Sequence, residues 1–371
     1  MSDDLKVAHT DRRGFLRHAA ASLTLAAAGI RTGGADAGAA VTSKPPYGAA
    51  VNSLALRTDP AYREAIIRYC EVIVPEGGLK WDPIHPRPDS YDFSEADMIA
   101  EFAKSNRIAL RGHTLAWYAA LPKWVEESVT TAQKAHFELN THIATVVGRY
   151  KNVISSWDVV NEPIAESPEP GNHLRHSVWL QYLGPEYIEI ALRAAHESDP
   201  DAKLYINEFD IEYSGPRFDA KRGALLALCR SLKSKGVPLH GIGIQGHIDP
   251  NYAIDRAALE RFLVEIRSMD MEITVTELEV IDQFLPADVA TRDETAAKLV
   301  SSFLEIVCEA AQPVAVLTWG ICDRYTWMRI YRKRADGLPN RPLPFDATMH
   351  PKKMFSAIQH YTMAKTAVTP R

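Results

Sequence analysis

The sequence predicts a single eight-stranded parallel α/β barrel, (β/α)8, preceded by a cleavable export segment. Two observations carry the barrel. Short β-rich runs alternate with longer helix-like segments, and polar, acidic or aromatic residues stand at the end of nearly every run. The runs are Tyr47–Val51, Glu71–Pro75, Ile108–His113, Ile154–Asn161, Lys203–Phe209, Gly241–His247, Glu272–Glu279 and Ala315–Gly320. They are short and mostly rich in β-branched residues, which favour pleated strands. Between them lie helix-like patterns at Ala61–Tyr69, Glu95–Lys104, Ala132–Tyr150, Ser177–Glu197, Asp219–Lys235, Asp255–Met269 and Asp293–Ala310. Asp255 and Asp293 are expected to start their helices, where a carboxylate meets unpaired N–H groups and the positive end of the helix dipole. Alternation alone does not establish closure, so a doubly wound sheet competes with the barrel.

The strand ends favour the barrel, because βα loops at the C-terminal face form its active surface. Glu76 and Lys80 follow the second run, and His113 and Trp117 the third. Asn161 and Glu162 end the fourth, Asn207 lies late in the fifth, and Gln245 and His247 end the sixth. Glu277 closes the seventh and Trp319 the eighth. Packing alone does not explain such a series.

Composition narrows the function. The 371 residues are 46% hydrophobic and 24% charged, ordinary for a globular chain. A formal charge of −5 supplies no basic stripe to displace phosphate counterions, which argues against a nucleic-acid partner. Cys70, Cys229, Cys308 and Cys322 are too widely spaced for a zinc knuckle or a disulfide scaffold, leaving buried thiols or one or two optional bridges. At the N-terminus, Asp11-Arg12-Arg13-Gly14-Phe15-Leu16-Arg17 has the twin-arginine form. An apolar stretch from Ala19 to Ile30 and a small-x-small site at Ala35-Asp36-Ala37 follow it. Residues 1–37 are therefore expected to be an export signal, with residues 38–371 the working domain in the periplasm or outside the cell. No later stretch is apolar enough for a membrane span, and no interface pattern is evident, so a monomer is expected.

Gly241-Ile242-Gly243-Ile244-Gln245-Gly246 matches a dinucleotide fingerprint. That motif needs a turn within it and a helix after it, whereas this segment reads as strand and runs on to Asp249-Pro250. No His-Glu-x-x-His helix and no Gly-rich Lys-Ser/Thr loop occurs, so neither a metal nor a nucleotide cofactor is expected. Two carboxylates remain. Glu162 lies in Trp157-Asp158-Val159-Val160-Asn161-Glu162-Pro163, and Glu277 in Ile273-Thr274-Val275-Thr276-Glu277-Leu278-Glu279. A lone Glu at a strand end is more often a salt-bridge partner. A pair on separate strand ends suits glycosidic hydrolysis, which needs a proton donor on one side of the anomeric carbon and a carboxylate on the other.

The chain resembles glycoside hydrolase family 10, the β-1,4-xylanases, from about Tyr47 to His360. The likeness rests on the two motifs above and on Arg111-Gly112-His113-Thr114-Leu115-Ala116-Trp117. It implies that Glu162 is the acid/base and Glu277 the nucleophile of a retaining endo-β-1,4-xylanase acting on xylan without a cofactor. It further implies that His247 hydrogen-bonds the nucleophile, that Asn161 binds the reacting sugar's 2-hydroxyl, and that Lys80, His113 and Gln245 hold sugar hydroxyls. Trp117, Trp319 and Trp327 are then aromatic walls, although a core tryptophan is the ordinary explanation for each. Glu76 and Asn207 complete the expected substrate-binding set.

Several positions depart from the family pattern. Gly77 stands where the family usually has Asn, Tyr118 where it has His, and Ala120 where Gln is common. Glu208-Phe209 replaces Asp-Tyr, and Glu279 replaces Asp. One hydrogen bond lost at Gly77 is worth about 0.5–1.5 kcal/mol. The same barrel tuned to another β-linked glycan, or used only to bind carbohydrate, are the competing functions.

Overall fold

The computed structural model describes residues 44–169 and 171–363. The twin-arginine segment and its cleavage site lie outside the described residues.

Eleven strands occur among these residues: β1 (Tyr47–Val51), β2 (Val72–Pro75), β3 (Ala109–Ala116), β4 (Ile154–Asn161), β5 (Ile164–Glu169), β6 (Asn172–Leu174), β7 (Lys203–Glu208), β8 (Gly241–Ile244), β9 (His247–Ile248), β10 (Glu272–Val280) and β11 (Val316–Thr318). Eight pair in the order β1-β2-β3-β4-β7-β8-β10-β11, all parallel, and β11 pairs back onto β1. The ring is closed, which rules out the doubly wound sheet. Long helices alternate with the barrel strands: Pro60–Tyr69, Ser94–Ser105, Ala132–Arg149, Tyr187–Ser198, Pro216–Ser234, Arg256–Ser268, Val289–Ala311 and, after β11, Lys353–Tyr361.

Each helix turns an apolar stripe to the barrel. In Ala132–Arg149 the stripe is Leu139, Ile143, Val146 and Val147, all fully buried, spaced three and four apart as one helix face requires. Thr131 caps this helix by accepting from the Lys134 N–H, and Asp255 caps Arg256–Ser268 by accepting from Ala258. Asp293 does not start its helix. That helix begins at Val289 with Asp288 as the cap, while Asp293 pairs with Arg341 at 2.7 Å. Both aspartates sit near a helix start, and only the local turn distinguishes them. The expected single helix Ser177–Glu197 is two, Val178–Leu183 and Tyr187–Ser198, parted at Gly184, whose φ of 66° few side chains tolerate.

Ala50 of β1, Val74 of β2 and Leu317 of β11 form a small apolar cluster with Ala315 and Trp319. A larger core fills the space between strands and helices. Trp157 lies against Gly112, where a Cβ would come within 2.1 Å of the indole. Cys229, Cys308 and Cys322 are free thiols, and burial pushes the Cys229 thiol up to about 12. Among the described residues no helix is long and apolar enough to cross a membrane.

Two features were not foreseen. The run Gly241–His247 is broken into β8 and β9, with Gln245 and Gly246 between them. A hairpin, β5–β6, also rises directly after Glu162.

Candidate active site

The C-terminal ends of the barrel strands open into a cleft of about 1070 Å³. Of the residues expected at the site, Glu76, Lys80, His113, Trp117, Asn161, Glu162, Gln245, His247, Glu277, Trp319 and Trp327 line it. Asn207 does not. It is fully buried and donates from Nδ2 to Asn161 Oδ1 at 2.9 Å and to Glu277 Oε1 at 2.7 Å, while its Oδ1 accepts from Thr276 at 2.7 Å. The expected sugar contact is therefore corrected to a brace beneath the cleft. Space for this amide exists because residue 243 is glycine: a Cβ there would stand 2.2 Å from Asn207 Oδ1. The alternating glycines of the false dinucleotide motif thus leave room for site machinery.

Glu277 projects from β10 and is 5% exposed. Its Oε1 accepts from Asn207, and its Oε2 lies 3.1 Å from His247 Nε2. The other ring nitrogen, Nδ1, is 2.7 Å from Glu279 Oε1, so the imidazole bridges two carboxylates. Burial disfavours a charged imidazole, but the hydrogen bonds and charges of Glu277 and Glu279 outweigh it and raise the His247 pKa well above the usual value. Burial also works to raise Glu277, yet the His247 hydrogen bond and the charges of His113 and His247 hold it below the ordinary carboxylate value. Glu279 is fully buried, and burial raises its carboxyl despite the bonds from His247 and Trp327. Its Oε1 accepts from Trp327 Nε1 at 2.7 Å, while its Oε2 has no hydrogen-bond partner. One cleft-wall tryptophan is thereby tied, through Glu279 and His247, to Glu277.

Glu162 follows β4 directly, with a backbone φ of 54°, in the left-handed region that costs a non-glycine residue energy. Its N–H donates to the Asn207 carbonyl at 2.8 Å, and its carbonyl accepts from Arg175 Nε at 3.1 Å, which pin the turn. Its Oε1 accepts from Asn161 at 3.1 Å and from Gln245 at 3.0 Å. The two carboxylates thus sit at opposite ends of one amide chain, Glu162–Asn161–Asn207–Glu277. Glu162 receives neutral amides, whereas Glu277 receives an amide and the imidazole.

On the β3–β4 side, His113 and Asp158 are register partners, and His113 Nδ1 lies 3.1 Å from Asp158 Oδ2. Arg111, on the same face of β3, donates to both oxygens of Asp158 and stacks 4.4 Å above the Tyr205 ring. Burial would raise the Asp158 carboxyl, but Arg111 and His113 hold it low. Arg111 and Asp158 both lie in motifs singled out above, yet their pairing was missed. Sequence shows that Arg111 and His113 share a strand face, being two apart, but not which residue that face meets.

At the rim, Glu76 Oε2 accepts from Asn52 Nδ2 at 2.9 Å, and burial raises the Glu76 carboxyl. Asn52, which also caps the helix Ser53–Thr58, is a cleft residue the sequence did not mark. Lys80 Nζ lies 5.2 Å from the Trp117 ring and 5.6 Å from the Trp319 ring. Gly77, Tyr118 and Ala120 all line the cleft, and a Cβ at Gly77 would meet nothing within 4 Å. The missing asparagine therefore leaves open space. Among the described residues, no group of three or more His, Cys, Asp or Glu is arranged to hold a metal ion.

Comparison with known proteins places this geometry. The model of glycosyl hydrolase family 10 matches residues 37–361. A β-1,4-xylanase of Dictyoglomus thermophilum is 36% identical, over 79% of this chain and 82% of its own length. Endo-1,4-β-xylanase B of Paenibacillus barcinonensis is also 36% identical, over 83% and 92%. Among solved structures, xylanase 10B from Thermotoga petrophila RKU-1 in complex with xylobiose superposes with a TM-score of 0.77 at 32% identity, covering 86% of this chain and 94% of that one. With the closed barrel and the paired glutamates at its strand ends, the match over nearly the whole described chain makes this protein a member of glycosyl hydrolase family 10.

Proposed function

We propose that this enzyme cuts β-1,4-xylosidic bonds within xylan, with retention of anomeric configuration. The observation that carries this reading is the amide chain joining two buried carboxylates whose surroundings differ. Glu277, held charged by His247, attacks the anomeric carbon. Protonated Glu162 gives its proton to the glycosidic oxygen as the C–O bond breaks, leaving the sugar esterified on Glu277. Glu162, now a carboxylate, takes a proton from water, whose oxygen displaces Glu277 and restores both groups. Asn161 faces the cleft beside Glu162 and is placed to bind the reacting sugar's 2-hydroxyl. The two-carboxylate reaction needs no cofactor. A relative of the same family and fold holds xylobiose, which supports xylo-oligosaccharides as ligands. The twin-arginine form of residues 11–17 and the apolar stretch that follows support export by residues 1–37 to the periplasm or beyond. We take the acting species to be a monomer.

The test is the NMR spectrum of the first products from xylo-oligosaccharide, with soluble cellulose run beside xylan. The β-anomer is expected first, mutarotating later to the α form. First appearance of the α-anomer, or faster release from cellulose than from xylan, would overturn the reading.

The His247 bridge predicts a pH effect. Glu277 acts as a carboxylate, so activity falls as pH drops through its pKa. In His247→Ala one hydrogen bond and one charge that oppose burial are gone, so the Glu277 pKa rises and the acid limb of kcat/KM moves to higher pH. A profile of kcat/KM against pH on an aryl xylobioside checks this, and an acid limb that does not move would refute it.

A further inference from the structure

Two departures from the family pattern, Tyr118 and Phe209, meet on one guanidinium. Arg175, just beyond β6, has its Cζ 4.7 Å from the Tyr118 ring and 5.2 Å from the Phe209 ring. Both rings line the cleft beside Glu162. The same side chain donates from Nε to the Glu162 carbonyl at 3.1 Å, and the Arg175 backbone N–H donates to the Pro163 carbonyl at 2.7 Å. Its Nη1 reaches the exposed Glu166 carboxylate at 3.4 Å, and its Nη2 is buried with no hydrogen-bond partner. Arg175 is thus only 13% exposed, with its flat group directed at the aromatic faces. The base of the hairpin is fixed as well. The Ile164 N–H donates to Glu208 Oε2 at 3.0 Å, and Glu208 pairs at 2.9 Å with the buried Lys221, whose Nζ lies 3.6 Å from the Phe209 ring.

We propose that Arg175 is a positioning residue that sets Glu162 for proton delivery to the leaving sugar. The inference rests on the proposed reaction. It follows from where the bonds fall: Arg175 touches neither Glu277 nor the His247 bridge, but it holds the carbonyl of the strained residue that carries the acid. In a left-handed turn, losing that bond lets the carboxyl swing away from the glycosidic oxygen. The nucleophile is untouched, so attack survives wherever the leaving group needs no proton.

The test compares wild type with Arg175→Met and Arg175→Lys on two xylobiosides, one bearing 2,4-dinitrophenolate, which leaves unprotonated, and one bearing phenolate, which needs the acid. Met keeps the bulk without the charge, whereas Lys keeps the charge but cannot both stack between the rings and donate from a fixed fork. In both variants kcat/KM on the phenyl substrate is expected to fall about tenfold or more, within the range general acid catalysis contributes, while the dinitrophenyl value stays within about twofold. Equal losses on both substrates would mean a merely structural role and overturn the proposal, as would a lysine variant with the wild-type ratio. A wild type that cleaves neither substrate would instead overturn the reaction on which the inference rests.

Discussion

Glu277→Gln is expected to reduce reducing-end release from xylan by about four orders of magnitude or more, the size of loss seen when a covalent nucleophile is removed. The amide matches the carboxylate in shape but lacks its charge, so it cannot form the ester. The loss is expected on every substrate regardless of leaving group, because attack at the anomeric carbon precedes each product. The replacement also sets an amide nitrogen where either Asn207 Nδ2 or His247 Nε2 now points a donor, at 2.7 and 3.1 Å. A melting curve separates that local misfit from unfolding. A folded Glu277→Gln enzyme keeping more than about one per cent of wild-type turnover would place the nucleophile elsewhere, since uncatalysed leakage lies far below that level.

Removing the other carboxylate gives a different pattern. Glu162→Ala is expected to lose about 10²–10⁴ in rate on xylan, the usual worth of a general acid–base group. With a 2,4-dinitrophenyl xylobioside the first step needs no acid, so dinitrophenolate should appear as a burst and then slow, because water lacks a base to activate it. Azide, already an anion, needs no base. It should restore turnover and yield the β-glycosyl azide, since two inversions at one carbon give net retention. A rate indifferent to azide, or an α-azide, would sink the assignment. The Arg175 variants should resemble a mild form of this phenotype and not the Glu277 one.

The strand-end carboxylates were legible because a barrel puts its chemistry at the C-terminal ends of its strands, and each glutamate closes a β-branched run. Eleven of the twelve expected site residues meet at one cleft for the same reason. The twelfth, Asn207, shows the limit. Sequence reveals a polar residue at a strand end, but not whether a glycine on the neighbouring strand has made room for it below the floor. Asp158 was hidden by a similar gap, since its partners lie on another strand and only the register His113↔Asp158 brings them together. The β5–β6 hairpin escaped because its residues, Ile-Ala-Glu-Ser-Pro-Glu in β5, are polar and contain proline, signs that ordinarily mark a loop. Arg175 went unmarked with it. Asp288 and Asp293 are equivalent by composition, and the choice between them rests on backbone geometry that side-chain identity does not encode.

The contact between Gly243 and Asn207 also bears on how this enzyme can diverge. Below the cleft the molecule has no slack at residue 243, since adding one methyl group there would collide with the amide that bonds Glu277 directly and Glu162 through Asn161. At Gly77 a Cβ could be added without meeting any atom within 4 Å. Change is therefore cheap at Gly77 and blocked at residue 243, and four of the departures, Gly77, Tyr118, Ala120 and Phe209, lie on the walls of the cleft. Beside Glu277, the buried Glu279 has one oxygen without a hydrogen-bond partner. New substrate preferences are therefore expected to arise mainly by editing the walls of the cleft, where a substitution can meet open space.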